Sequence, residues 1–335
     1  MGECFITRRG GGGGTGLPEF AYTGQYTLID DGDGDWRIKF LTSGVLTFTK
    51  LGNAKGGIDL FLVGGGGASG CSYNLSDWCG PGGGGYTLTK RALFVVKGAA
   101  YEITVGAGGA WPGVSNTQSR GGTTSAFNNN AEGGYSGKSI SGGNGGSGAA
   151  SSNSTLGGTD GGDGQKGANG VGEAGKGQGT TTREFGESTG TLYASGGAYN
   201  ANNGTNNVGN GAANTGNGGG GTNNNEKRTT GGSGIAVIRN VRLAITQQPQ
   251  DASVAANGSA IFTVKAVGAG LTYQWQFLPA ADGSAWSNTS ATGATTASLT
   301  IVGASYRNGY KYRCIVTDKK GRQVTSDVAT LTVTA

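Results

Sequence analysis

The sequence predicts an all-β chain: an antiparallel β-sandwich with a glycine-rich insertion, then a second, smaller β-sandwich. Three observations lead there. Short apolar or β-branched runs alternate with Gly, Asn and Lys turns over residues 17 to about 110, and again beyond 243. No stretch repeats apolar residues at the 3.6-residue spacing of a helix. Glycine supplies 73 of 335 residues and only 34% are hydrophobic, below the roughly 45–50% of ordinary globular chains, so the apolar residues must be concentrated.

Residues 1–16 read as an N-terminal docking peptide, with Cys4 to Arg9 followed by a flexible run of glycines from Gly10 to Gly14. The head contains no apolar core of a secretory signal, and no run approaches the ~18 apolar residues of a membrane span. The first domain, 17–240, draws its strands from 36–40, 45–49, 58–63, 86–89, 93–96 and 101–105, closed by 234–239. The last run belongs with the early ones. Its return pins both ends of the insertion, 106–234, and favours an ordered one.

Within that insertion glycine recurs every third residue at Gly158, Gly161, Gly164, Gly167 and Gly170. Period three without proline is not collagen, and it fits polyglycine II helices whose bare positions let neighbouring chains exchange backbone hydrogen bonds. Fixing 73 glycines costs on the order of 35–70 kcal/mol more than fixing alanines. Disorder is the competing reading. From 241 to 335 the runs 259–266, 271–277, 298–301, 310–317 and 328–333 have the spacing of a seven-strand sandwich.

There is no histidine, which excludes imidazole-relayed triads, histidine-ligated metals and a histidine base. Carboxylate chemistry survives in principle, yet Asp160, Asp163, Glu173, Glu184 and Glu187 sit among polar residues that would not raise a pKa, so no catalytic residue is assigned. No glycine run has the strand, lysine and helix of a phosphate cradle. Asp31, Asp33 and Asp35 alternate like calcium ligands, but Trp36 and Thr42 stand where the loop needs glycine and glutamate. An Asp-Gly turn is the expectation there, and a four-cysteine zinc site would need Cys4 and Cys314 from opposite ends of the chain. No metal, cofactor or nucleic acid is expected, the net charge of +5 being unclustered.

Cys71 and Cys79 bracket seven residues between glycine runs and form a candidate local disulfide presenting Tyr73 and Trp78 as candidate receptor contacts. Trp111, Tyr135, Tyr193 and Tyr199 stand among Asn, Ser and Gly, as in paratopes, and are candidate receptor contacts; each also reads as an anchor covering the glycine bundle.

Two resemblances add to this. Tyr273-Gln-Trp275, Leu299-Thr-Ile301 and Tyr310-Lys-Tyr312-Arg-Cys314 resemble strands C, E and F of bacterial and phage immunoglobulin-like domains of the I-set type, with Trp275, Tyr312 and Cys314 implied as core. The strand B cysteine that would pair with Cys314 is missing. Trp36-Arg-Ile-Lys-Phe40, Ile58-Asp-Leu-Phe-Leu-Val63 with Gly64 to Gly67, Gly82 to Tyr86, Ile103 to Gly109, Gly121 to Ser125 and Gly231 to Arg239 resemble the glycine-rich domain of phage and prophage tail proteins. That family is similar to polyglycine-helix adhesin tips of T-even-like phage fibres. The resemblance implies a non-enzymatic virion protein, tail-associated, made in the host cytoplasm and released by lysis. It implies an N-terminus docked on other virion proteins, a bacterial surface glycan or protein as partner, and a homo-oligomer, trimeric in tail-fibre relatives. The alternatives are a purely architectural decoration or fibre-assembly protein and, behind it, a polysaccharide depolymerase.

Overall fold

A computed structural model describes residues 5–8, 16–32, 34–52, 54, 57–71, 79–111, 119–138, 141–151, 157–166, 172–200, 209–222, 228–241, 243–268, 270–280, 285–318 and 321–334. The chain divides into two compact units, Met1–Asn240 and Val241–Ala335. The described residues carry strands, turns and short 3-10 segments, and no α-helix.

The first unit contains β1 (Phe5–Arg8), β2 (Glu19–Tyr22), β3 (Tyr26–Gly32), β4 (Asp35–Phe40), β5 (Gly44–Lys50) and β6 (Ile58–Val63). There follow β7 (Gly70–Cys71), β8 (Cys79–Gly80), β9 (Thr87–Leu93), β10 (Ala100–Thr104), β11 (Thr124–Ala126) and β12 (Asn129–Ala131). The last three are β13 (Tyr199–Asn200), β14 (Gly221–Thr222) and β15 (Ile235–Asn240).

A six-stranded sheet in the order β1-β3-β4-β15-β6-β9 packs against a five-stranded one in the order β12-β11-β10-β5-β2. Alternation sets the core between them: Trp36, Ile38 and Phe40 of β4, Ile58, Leu60 and Leu62 of β6, and Ala236 and Ile238 of β15 meet Leu46, Phe48 and Ile103. The closing strand β15 lies between β4 and β6 in antiparallel register, with Ile238 opposite both Ile38 and Leu60.

Every residue of β6 and of β15 is buried, which a two-sheet sandwich alone does not explain. Phe61, Val63, Ile235 and Val237 point away from the sandwich core, and a second cluster of Phe185, Tyr193 and Ala194 covers them. The 182–194 segment therefore lies across the outer face of the six-stranded sheet. Charge holds it there. Glu184, 3% exposed, accepts from Arg37 at 2.6 Å and pairs with Lys39 at 3.0 Å. Arg239 joins Asp59 at 3.1 Å and Glu187 at 2.6 Å, and Arg91 reaches Asp59 at 2.7 Å and the Phe185 carbonyl at 2.6 Å. Phe185 takes φ +55, a strained left-handed conformation for a bulky residue, held by the Arg239 guanidinium 4.1 Å from its ring.

Several sequence expectations are corrected. Phe5–Arg8, expected in a tethered docking peptide, pairs in parallel with β3 from Phe5 opposite Thr27 to Arg8 opposite Asp30. It supplies an edge strand, because the alternating Phe-Ile-Thr-Arg run suits one. The run 86–89 continues as one strand, β9, past an irregularity at Ala92, φ +52, to Leu93; the rest of the expected run 93–96 is not a strand, and Phe94 is 79% exposed. Strands β2 and β3 of the sandwich, and β11 and β12 beyond residue 110, have no counterpart among the expected runs. Asp31 is committed to Arg37 through both carboxylate oxygens at 2.8 and 2.9 Å, Asp30 accepts the Gly32 N–H at 2.9 Å, and Asp35 accepts from Asn240 at 3.2 Å; Asp33 lies outside the described residues.

The second unit contains β16 (Leu243–Gln247), β17 (Ala252–Ala255), β18 (Ser259–Thr263), β19 (Lys265–Gly268) and β20 (Thr272–Leu278). It ends with β21 (Ser287–Asn288), β22 (Ser298–Val302), β23 (Lys311–Thr317), β24 (Gln323–Thr325) and β25 (Ala329–Thr334). One sheet runs β17-β25-β23-β20-β21, with β24 also on β23; β18 pairs with β22 and β16 with β19. A first strand split between two sheets, with β17 parallel to β25, gives the pairing of an immunoglobulin-like sandwich. The expected run 259–266 breaks at Val264, whose side chain enters the core.

Glu184→Gln removes the buried carboxylate that Lys39 and Arg37 share, Arg37 keeping Asp31, and we expect the first unit to lose about 2–4 kcal/mol in urea unfolding. Burial alone would raise the Glu184 carboxyl, but Lys39 and Arg37 outweigh it and hold its pKa below the ordinary value. The stabilisation is therefore complete above the unfolded carboxylate range and is lost as pH falls through the depressed folded value. The acid limb of the wild-type stability curve should flatten in the variant.

Candidate functional site

Between its strands the first unit is built from glycine. Chain 64–67 shows the rule. Gly64 N–H donates to the Tyr86 carbonyl at 2.9 Å, Gly65 to Gly122 at 2.9 Å and Gly66 to Gly232 at 2.9 Å; Gly67, one period on, returns to the 82–86 chain at Gly83, 2.8 Å. The 82–86 chain repeats this: Gly82 and Gly85 both donate to the 216–219 chain, Gly83 and Tyr86 both to the 132–135 chain, and Gly84 to Ser147. Partners recur every three residues and point to three neighbours. That is the geometry of a left-handed helix with three residues per turn and no internal hydrogen bonds, whose donors are free to link a bundle.

Absence of a side chain, not backbone freedom, makes glycine obligatory here. None of the eight glycines in 64–67 and 82–85 has a positive φ. A Cβ at Gly64 would stand 2.0 Å from the Glu132 oxygen, at Gly65 2.0 Å from that of Ala107, at Gly66 2.0 Å from that of Asn217 and at Gly84 1.8 Å from that of Ala194. The chains touch backbone to backbone.

The chains that leave the sandwich at Val63, Thr104 and Ala131, and those that return at Thr87, Thr124 and Ile235, fix a direction: the bundle runs outward from one end of the sandwich. At its outer end β13, β14, β8 and β7 form a four-stranded sheet in that order, with Tyr199 opposite Gly221, Thr222 opposite Cys79 and Cys71 opposite Cys79. Arg228 lies 3.6 Å from the centre of the Trp111 ring at the margin of this end. Buried Ser69 and Thr229 tie the chains beneath it through Thr229 N–H to Ser69 Oγ, 3.0 Å.

Residues 42–240 match the family model of the glycine-rich domain. The chain belongs to the glycine-rich domain family. No curated protein matches it. Among solved structures the chain is similar to D1 of Duf (Kirre), at 19% identity over 28% of this chain and 96% of that one, TM-score 0.21. It is similar to titin domains Z1Z2 in complex with telethonin, at 26% identity over 28% of this chain and 48% of that one, TM-score 0.21, so that it spans about half of that structure. DIP-gamma IG1+IG2 is similar at 15% identity over 30% of this chain and 67% of that one, TM-score 0.21.

Within the glycine-rich domain the candidate contact residues separate. Tyr193 is 4% exposed, its hydroxyl accepting from Lys39 at 2.8 Å and donating to Glu184 at 3.1 Å. Tyr199 is fully buried and its hydroxyl pKa is pushed up to about 12 by that burial. Both are anchors and neither is a surface contact, which corrects the expectation: partners 154 residues away in sequence enclose Tyr193. Tyr135 and Trp111 stay half-exposed, each under an arginine, with Arg120 4.4 Å from the Tyr135 ring. Tyr73 and Trp78 lie outside the described residues. Cys79 is disulfide-bonded and Cys71 is its cross-strand partner, though the Cys71 side chain is outside those described. In the second unit Trp275 and Cys314 are fully buried and Tyr312 is 2% exposed, the last stacked on Phe262 with centroids 4.9 Å apart. Cys314 is a free thiol, and burial pushes its pKa up to about 11.

The glycine bundle draws on the expected insertion and extends beyond it: chains 64–67 and 82–85 lie outside 106–234 and bond to chains within it, and of the period-three series Gly161 sits at φ +80 in a turn. Gly158 and Gly164 do bond into the bundle; Gly167 and Gly170 are outside the described residues.

Paired substitutions separate close packing from glycine content. Gly84→Ala should cost more than about 3 kcal/mol or prevent folding. Gly209→Ala, where a Cβ meets nothing within 4 Å, should stay within about 0.5 kcal/mol of wild type in the same urea titration.

Proposed function

We propose that this chain is a non-enzymatic virion protein of a phage or prophage, tail-associated, whose glycine bundle holds out a recognition surface toward a bacterial surface glycan or protein. The observation that carries this is the placement of the Trp111 and Arg228 pair beside the small sheet at the bundle's outer end. A bundle packed backbone to backbone has little room inside for a ligand. Recognition falls to its outer end and outward-facing rings, where indole and guanidinium offer a stacking face and fork-shaped donors.

Glu184 and Asp160 are unsuited to be the acid of a hydrolase. A glycosidase needs one acid whose pKa is raised, whereas Glu184 and Asp160 are both shifted down, Asp160 first by its hydrogen bond from Thr181 and then by Arg183. Docking on other virion proteins and a homo-oligomer, trimeric as in tail fibres, complete the proposal; several weak sites on one particle then act with avidity.

Labelled full-length protein, presented multivalently, should bind cells of a susceptible strain within a bacterial panel, and the purified surface polysaccharide or outer-membrane protein of that strain should compete. Trp111→Ala should weaken binding by roughly tenfold, the weight of one buried aromatic contact. Absence of binding across the panel at high valency would leave the architectural reading, and release of reducing sugar from host polysaccharide would overturn the non-enzymatic one.

A further inference from the structure

The second unit carries a cleft of about 450 Å³ whose inner wall, Ile301 and Tyr312, belongs to its sandwich core. Phe277 of β20 and Tyr310 line it with their rings 5° from parallel and centroids 6.1 Å apart. Tyr306 stands against Tyr310 at 75°, centroids 6.4 Å apart, and is 68% exposed. The three rings make one contiguous aromatic side of the cleft. Asn288, Ser290 and Arg307 are among the polar residues that line it.

The polar groups of this cleft are already oriented. Asn288 Oδ1 accepts from Gln276 Nε2 at 3.0 Å, which turns its amide N–H₂ into the group left to donate. Arg307 Nη1 donates to the Val302 carbonyl at 2.9 Å while the guanidinium lies 5.2 Å from the Tyr306 ring centre. Tyr306 and Arg307 sit on a 3-10 turn, Ser305–Arg307, whose first residue is capped by the Asn308 N–H at 3.2 Å.

We propose that this cleft is a saccharide-binding site, taking one pyranose ring of a neutral or uronic glycan. A pyranose presents a face of C–H bonds that packs on the negative face of an aromatic ring, and a rim of hydroxyls that needs the amide, hydroxyl and guanidinium groups found here. Among the described residues Arg307 is the one charged residue of the lining, and it suits a ring carboxylate as well as a hydroxyl. An extended peptide would instead need an open strand edge beside its pockets, and β21, the strand at this border, is two residues long. The site lies wholly within the immunoglobulin-like unit and does not depend on what the glycine-rich domain contacts.

The test is an NMR titration of the full chain with methyl glycosides of glucose, galactose, mannose, N-acetylglucosamine and glucuronic acid. Concentrations should reach about 50 mM, well above the ~1 mM Kd expected of one stacked ring with a few hydrogen bonds. At least one glycoside should shift the amides of Asn288, Tyr306 and Arg307 saturably. Tyr306→Ala, which removes an exposed ring and leaves the core intact, should weaken that binding by roughly three- to tenfold, and Tyr310→Ala at least as much. The Tyr306 variant should keep the cell binding that Trp111→Ala weakens, so failure of this site and failure of the adhesion reading give different results. Absence of any shift, shifts that persist unchanged in both tyrosine variants, or a response to apolar peptides but not to glycosides would each overturn the proposal.

Discussion

Backbone meeting backbone is the constraint on which the first unit depends. A chain of three residues per turn sends its amides out in three directions, so each interior chain needs three neighbours at hydrogen-bonding distance and cannot carry a Cβ toward any of them. Gly64 to Gly67 and Gly82 to Gly85 satisfy this in full, with donors rotating through successive partners. Ordering each glycine costs about 0.5–1 kcal/mol beyond alanine, and each hydrogen bond formed returns a net ~0.5–1.5 kcal/mol. The two magnitudes are comparable. Glycine content at this level is thus compatible with order when nearly every donor is used, and becomes a liability when any chain of the bundle is displaced.

The bundle needs a rigid base, which the sandwich and its outer covering provide. Glu184, Glu187 and Phe185 bind a segment from within the glycine-rich sequence to Arg37, Lys39, Arg91 and Arg239 on the sheet. These contacts bring sequence positions about 150 residues apart into one cluster, and they hold Tyr193 as an internal strut. Trp111 and Arg228 pair apart from this cluster, the guanidinium 3.6 Å from the centre of the indole ring.

Much of the strand content was legible because it rests on local alternation. Trp36, Ile38 and Phe40 face one way and Arg37 and Lys39 the other, and the block from Ile58 to Val63 signals burial on both faces. The bundle was harder to read for a physical reason. An interior chain surrounded on three sides needs glycine at every position, which appears as an uninterrupted run with no visible period; a period of three marks a chain with fewer neighbours. The series from Gly158 to Gly170 drew attention for its regularity, yet it holds a turn at Asp160 and Gly161. The burial of Tyr193 and Tyr199 was illegible because their surroundings come from Lys39, Glu184 and distant glycine chains. In the second unit Trp275 and Tyr312 could be read from local motifs, whereas the cleft formed by Phe277, Tyr306 and Tyr310 depends on how a turn folds against a strand.

Native-state hydrogen exchange of the glycine amides tests the central claim most directly. If the bundle is a hydrogen-bonded lattice, the amides of Gly65, Gly66, Gly83 and Gly84 exchange only through cooperative opening of the first unit, with protection matching that of Leu60 and Ile238 in its core strands. Exchange of those glycines at the rate of an unstructured peptide, while Leu60 and Ile238 remain protected, would contradict the account.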